Sequence, residues 1–110
     1  MKKVTLFIML ISLFTFISSC NKDKTEIFYW DETSCSDPWQ ANAYDPEEEK
    51  KASIKLYLLN EDISVEAVNF EFDSSKAQFC EACSCTTGNI IAMKVSSKDT
   101  GKMEELNFYQ

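Results

Sequence analysis

The chain predicts an α+β domain in which a small antiparallel sheet carries two helices on one face, with elements in the order (β)αββα. Three observations carry this. Two segments alternate apolar and polar residues with the period of a strand, Val68-Phe70-Phe72 and Ile91-Met93-Val95. One long helical start stands before them at Asp45-Pro46-Glu47-Glu48-Glu49, and a short one follows at Ser97 to Leu106.

Ile27-Phe28-Tyr29-Trp30 is a short aromatic run with the character of an edge strand. Asp31 to Ala43 reads as irregular, because Ser34, Ser36, Asp37 and Pro38 are turn formers. Trp39 inside it is expected to plug a small core, since a buried indole removes a large apolar area from water. For the first helix, Asp45 is expected as N-cap, Pro46 as first helical residue and Glu48 as the return partner of a capping box. Glu47 and Lys51 are spaced as an i, i+4 pair. Ala52, Leu56 and Leu59 form the expected apolar stripe, widened by Leu58 and Ile63, and Asn60 is expected to close the helix in a left-handed conformation.

The next strand spans roughly Ser64 to Asp73. Ile63, Val65 and Ala67 alternate out of phase with Val68, Phe70 and Phe72, so a β-bulge is expected near Ala67. A loop from Ser74 to Gly88 follows, ending in a turn at Thr86-Thr87-Gly88-Asn89 where Gly88 supplies a positive φ. Asn89 to Ser96 is a strand with Ile91, Met93 and Val95 on one face and Ile90, Ala92 and Lys94 on the other. Ser97 or Asp99 caps the last helix, with Met103 and Leu106 as its apolar positions. Phe108 and Tyr109 are expected to pack back on the sheet. This element order resembles part of a ferredoxin-like fold.

Composition excludes several kinds of chemistry. There is no histidine, so a Ser-His or Cys-His nucleophile pair and a mixed Cys/His metal site are ruled out. All eleven basic residues are lysine, so no guanidinium fork is present for phosphate. Glu47-Glu48-Glu49 and Glu104-Glu105 are helix neighbours that diverge by about 100°, which suits a solvated face better than a pair aimed at one substrate.

The amino-terminal stretch predicts the compartment. Lys2 and Lys3 precede the 14-residue uncharged run Val4 to Ile17, which is short for a bilayer span. Ile17-Ser18-Ser19-Cys20 resembles the lipobox of bacterial lipoproteins. That resemblance implies a signal peptide at residues 1–19, diacylglyceryl transfer to the Cys20 thiol and a lipidated tether over residues 20–26. The domain then occupies residues 27–110. Removing the leader takes two lysines and leaves nine against 18 acidic residues, a net charge of −9. Such a surface repels nucleic acid. Two or more acyl chains make a lasting membrane anchor.

Four further cysteines, Cys35, Cys80, Cys83 and Cys85, admit three roles. The first is two structural disulfides, favoured by export to an oxidising compartment and by the small size of the domain. Linking Cys83 to Cys85 would strain the bridge, which leaves Cys35–Cys83 with Cys80–Cys85, or Cys35–Cys85 with Cys80–Cys83. The second is a Cys₄ site for zinc or copper, against which stands the lack of a second CxxC. The third is thiol exchange by Cys80-Glu81-Ala82-Cys83, against which stands the acidic neighbour Glu81.

Together "CSDPW" and "CEACSCTTG" resemble a group of small, uncharacterised bacterial lipoproteins with CxDPW and CxACxCxTG motifs. Cys35, Asp37, Pro38, Trp39, Cys80, Ala82, Cys83, Cys85, Thr87 and Gly88 carry the resemblance. Thr86 stands where the group would have proline. The group implies a fold and no activity. The expectation is therefore a non-catalytic, cofactor-free binding or structural module of the cell envelope, anchored by lipid, with the outer membrane as the expected location, meeting another envelope protein or ligand. Trp39, Phe28, Tyr29 and Trp30 are the candidate aromatic contact residues, with several of them expected in the core instead.

Overall fold

A computed structural model of the chain describes residues 24–110. The expected signal peptide, the lipidation residue Cys20 and the start of the tether lie outside the described residues. Strand β1 spans Thr25–Thr33, helix α1 Glu47–Asn60, strand β2 Val65–Phe72, strand β3 Thr86–Ser96 and helix α2 Thr100–Glu105. Single 3-10 turns at Ser74–Lys76 and Ser97–Asp99 complete the order.

The sheet runs β1-β3-β2, with β3 antiparallel to both neighbours. β1 and β2 are thus parallel, connected through α1, and split by β3. That is the split β-α-β arrangement expected from the element order. On the outer edge of β1, Tyr109 forms an isolated antiparallel bridge with Tyr29 through both backbone hydrogen bonds. The chain end therefore closes part of an otherwise open edge.

Period-2 alternation sends Phe28, Val68, Ile91, Met93 and Val95 to one face, where α1 contributes Ile54 and Leu58 and α2 contributes Met103. Trp39 and Phe108 seal the same core, as expected. The predicted bulge is present: Val65 pairs with Val95 and Ala67 with Lys94, so Glu66 is the extra residue. It turns Val65 and Val68 to the same side.

Four details differ from expectation. β1 continues past Trp30 to Thr33, because β3 offers it a full antiparallel partner that outweighs local turn propensity. The buried stripe of α1 is Lys50, Ile54 and Leu58, whereas Leu56 and Leu59 are each about 60% exposed and Ala52 is exposed. A lysine at the head of the true stripe hides it from an apolar count.

Asp45 does not cap α1. Its carboxylate accepts from the backbone N–H of Asn42, and Pro46 takes the N-cap position. The capping box with Glu48 is therefore absent. Finally, the left-handed residue after α1 is Asp62 rather than Asn60. Ile63 N–H bonds Leu58 O and Asp62 N–H bonds Leu59 O, a Schellman end whose apolar contact is Ile63 on Leu58. α2 ends the same way, through left-handed Asn107, Phe108 N–H to Met103 O and Asn107 N–H to Glu104 O.

Candidate functional site

The two cysteine-bearing segments meet at one end of the sheet. Beyond β1, Ser34 N–H bonds Cys85 O at 2.9 Å and Cys35 N–H bonds Cys83 O at 3.1 Å. This zipper brings Cys35 and Cys83 to disulfide distance, with Cα atoms 4.5 Å apart, and Cys80 and Cys85 likewise, with Cα atoms 6.1 Å apart. Of the two pairings left open by spacing, this is the one that crosses Cys80–Cys85 with Cys35–Cys83. The two cysteines of the CxxC spacing belong to different pairs. Among the described residues, no group of three or more His, Cys, Asp or Glu side chains is arranged to hold a metal ion.

Asp37 explains the CSDPW segment. Its carboxylate oxygen Oδ1 accepts from Trp30 Nε1 at 2.9 Å, Thr33 N–H at 3.1 Å and Thr33 Oγ1 at 2.9 Å. It is only 5% exposed. Burial raises its pKa above the ordinary aspartate value, partly offset by the three hydrogen bonds, which favour the charged form. Asp37 thereby ties the end of β1 to the turn that delivers Trp39. Gln40, at φ 58°, closes that turn with a bond from its N–H to Asp37 O. Trp39 then packs edge-on to Trp30 at 5.4 Å and stacks on Phe108.

Glu32 is the most deeply placed charge of this region. It follows Phe28 and Trp30 in the inward phase of β1 and is 2% exposed. Oε2 takes the Lys50 ammonium at 2.9 Å, while Oε1 accepts from Thr87 Oγ1 at 2.9 Å and Asn89 Nδ2 at 3.0 Å. Lys50 also donates to Ala43 O and lies 4.8 Å from the Phe70 ring centre. The register makes room for this cluster. Asp31 pairs with Ile90 and Thr33 with Thr86, so three residues of β3 oppose Glu32 alone.

Gly88 sits in that irregular stretch with the positive φ expected of it, 95°, but inside β3 rather than in a turn before it. A Cβ there would lie 2.7 Å from the Phe72 ring, 3.1 Å from Ala77 Cβ and 3.1 Å from Asp73 O. Close approach of β3 to the end of β2 and the segment after it, not turn geometry alone, is what calls for glycine.

Above Glu32 opens a cleft of about 390 Å³. Its walls are Ser34, Ala43 and Tyr44 on one side of the chain order, and Gln78, Phe79, Cys80, Thr87 and Asn89 on the other. Tyr44 is 93% exposed and Phe79 fully so, two large rings with almost no protein contact. Single exposed apolar residues are ordinary, but two such aromatics on one cleft are not. The candidate contact aromatics fare differently. Phe28 and Trp39 are buried, Trp30 is packed against the core with its N–H committed to Asp37, and only Tyr29 lies on the uncovered sheet face. Tyr44 and Phe79 escaped sequence reading because each sits in an aperiodic segment. Their signal was a large ring among turn formers or beside a cysteine.

A second polar group lies on the uncovered face. Lys76 donates to Asp31 at 3.1 Å and to the Tyr109 hydroxyl at 3.0 Å, and Tyr109 donates to Asp31. These bonds hold the Lys76 ammonium above the usual lysine range, while burial and the bond to Asp31 push the Tyr109 phenol up. Every member is already partnered, so the group reads as a brace between the 3-10 turn, β1 and the chain end.

No family model, no curated protein and no solved structure matches this chain.

Proposed function

We propose that this protein is a lipid-anchored cell-envelope module that acts by binding, without catalysis, and that its binding surface is the cleft between Tyr44 and Phe79. The observation that carries the reading is the exposure of those two rings on a cleft whose floor is braced by Glu32 and Lys50 and whose wall is stitched by the two cysteine pairs. Rigid scaffolding beneath protruding contact residues is what a recognition site needs, since ordering costs are then met before binding. The absence of histidine and arginine supports binding over acid–base or phosphate chemistry. Lipid attachment at Cys20 is the part of the proposal that places this surface at a membrane.

The test uses the full chain, wild type and Tyr44→Ala/Phe79→Ala, against panels of peptides, glycans and envelope fractions. A saturable interaction that the double variant loses while its circular dichroism is unchanged is the expected result. An interaction that the double variant keeps, or no interaction at all, removes the cleft reading. Palmitate labelling that persists in Cys20→Ala removes the anchor reading.

A further inference from the structure

We infer that the cleft takes a neutral saccharide unit, with the exposed rings of Tyr44 and Phe79 on its lining as the stacking contacts; this rests on the cleft being the binding surface. The chemistry left over in the cleft points there. Charge is absent from its lining in usable form: Glu32 has both oxygens engaged, and Lys50 is 6% exposed behind it with bonds to Glu32 and Ala43. An anionic ligand finds no available cation, and a cationic one finds a carboxylate already neutralised.

Most backbone N–H groups along the walls are likewise committed, Phe79 and Cys80 being the exceptions among the described residues. Ser34 N–H bonds Cys85 O, Ala43 N–H bonds Ser34 O, Gln78 N–H bonds Thr86 O, and Thr86 N–H bonds Gln78 Oε1. An extended peptide that adds itself as a strand needs a row of unpaired backbone donors and acceptors along one edge, and Phe79 and Cys80, whose backbone groups point to opposite sides in an extended segment, are too short a stretch to present one. What remains among the described residues is neutral side-chain capacity. Gln78 Nε2 makes no hydrogen bond, Asn89 Oδ1 accepts none, and the Tyr44 hydroxyl has no partner. Amide donors and acceptors with a phenol suit a ligand rich in hydroxyl groups. The two rings suit its C–H faces, which are apolar while its edges are polar. The volume, about 390 Å³, is at the small end for ligand sites and fits a short sugar segment rather than a drug-sized hydrophobe.

The test is titration of the full chain, in a detergent without sugar headgroups, with neutral di- and trisaccharides, acidic oligosaccharides and a mixed peptide library. Neutral sugars should bind saturably, with affinity nearly unchanged between low and high salt. Tyr44→Ala, Phe79→Ala and Gln78→Ala should each weaken binding about tenfold, the scale of one aromatic or polar contact. Peptides or acidic sugars binding through Tyr44 and Phe79 while neutral sugars do not would overturn the saccharide inference and leave the cleft as the binding surface. Sugar binding indifferent to all three substitutions would overturn the inference for this cleft. No binding by any probe would overturn both.

Discussion

Glu32 and Lys50 meet at 2.9 Å inside the domain, from residues 18 apart on β1 and α1, with side chains 2% and 8% exposed. Neither charge reaches water to any useful extent. The pair is tolerable because its remaining hydrogen-bond capacity is met by Thr87, Asn89 and Ala43. Removing one partner leaves a buried charge alone. Lys50→Met should therefore cost about 3–5 kcal/mol of stability, read from urea midpoints. Glu32→Gln/Lys50→Met keeps an acceptor for Thr87 and Asn89 and should recover much of that loss. A double variant as unstable as Lys50→Met alone would show that the pair is not the unit.

Asp37 predicts a pH signature. Its pKa is raised in the folded chain by burial, so the folded state holds its proton at a pH where the unfolded chain has lost it. Stability from this group is then lost as pH rises from the ordinary aspartate value through the elevated one, and is regained on acidification. Asp37→Asn keeps the acceptor for Trp30 and Thr33 and removes the titration. The stability of wild type minus that of Asp37→Asn should grow as pH falls through this window, measured by urea unfolding across a pH series. A flat difference would contradict the assignment. Asp37→Ala, which strands the Trp30 and Thr33 donors, should cost about 1–3 kcal/mol at neutral pH.

Gly88→Ala should destabilise by about 1–3 kcal/mol from the backbone conformation alone, with further loss from the 2.7 Å approach to Phe72. Phe72 is 69% exposed and its ring can move aside. Adding Phe72→Ala should therefore restore only a small part of the melting temperature. Full restoration would place the cost in the clash and not in φ.

The two cysteine pairs should contribute unequally. Cys35–Cys83 spans 48 positions and Cys80–Cys85 spans five. Loop-closure entropy then gives about 4 kcal/mol for the first and about 2 kcal/mol for the second. Cys35→Ser/Cys83→Ser should lower the unfolding midpoint more than Cys80→Ser/Cys85→Ser, both compared with wild type under non-reducing conditions. Peptide mapping of the unreduced chain should recover Cys35 with Cys83 and Cys80 with Cys85.

Much of the fold was legible from residues a few positions apart. The inward phase of Ile91, Met93 and Val95, the bulge at Glu66, the positive φ of Gly88 and the return of Phe108 to the core all follow from local alternation or turn chemistry. These signals act within one element, where the period of side chains and the room around a Cβ are set by the backbone itself. The α+β class follows from the order of such signals.

What tertiary structure decided involves groups far apart in the chain. Whether α1 buries Leu56 or Lys50 depended on Glu32 waiting across the interface, because a lysine is an interior residue only when a carboxylate is already there. Cysteine partners depended on the register of residues 34 and 35 against 83 and 85, since a bridge forms between whichever sulfurs the backbones bring within reach. The exposure of Tyr44 and Phe79, and with it the candidate site, was set by where two aperiodic segments came to rest. Burial is a property of the assembled surface, and no spacing along the chain encodes it there.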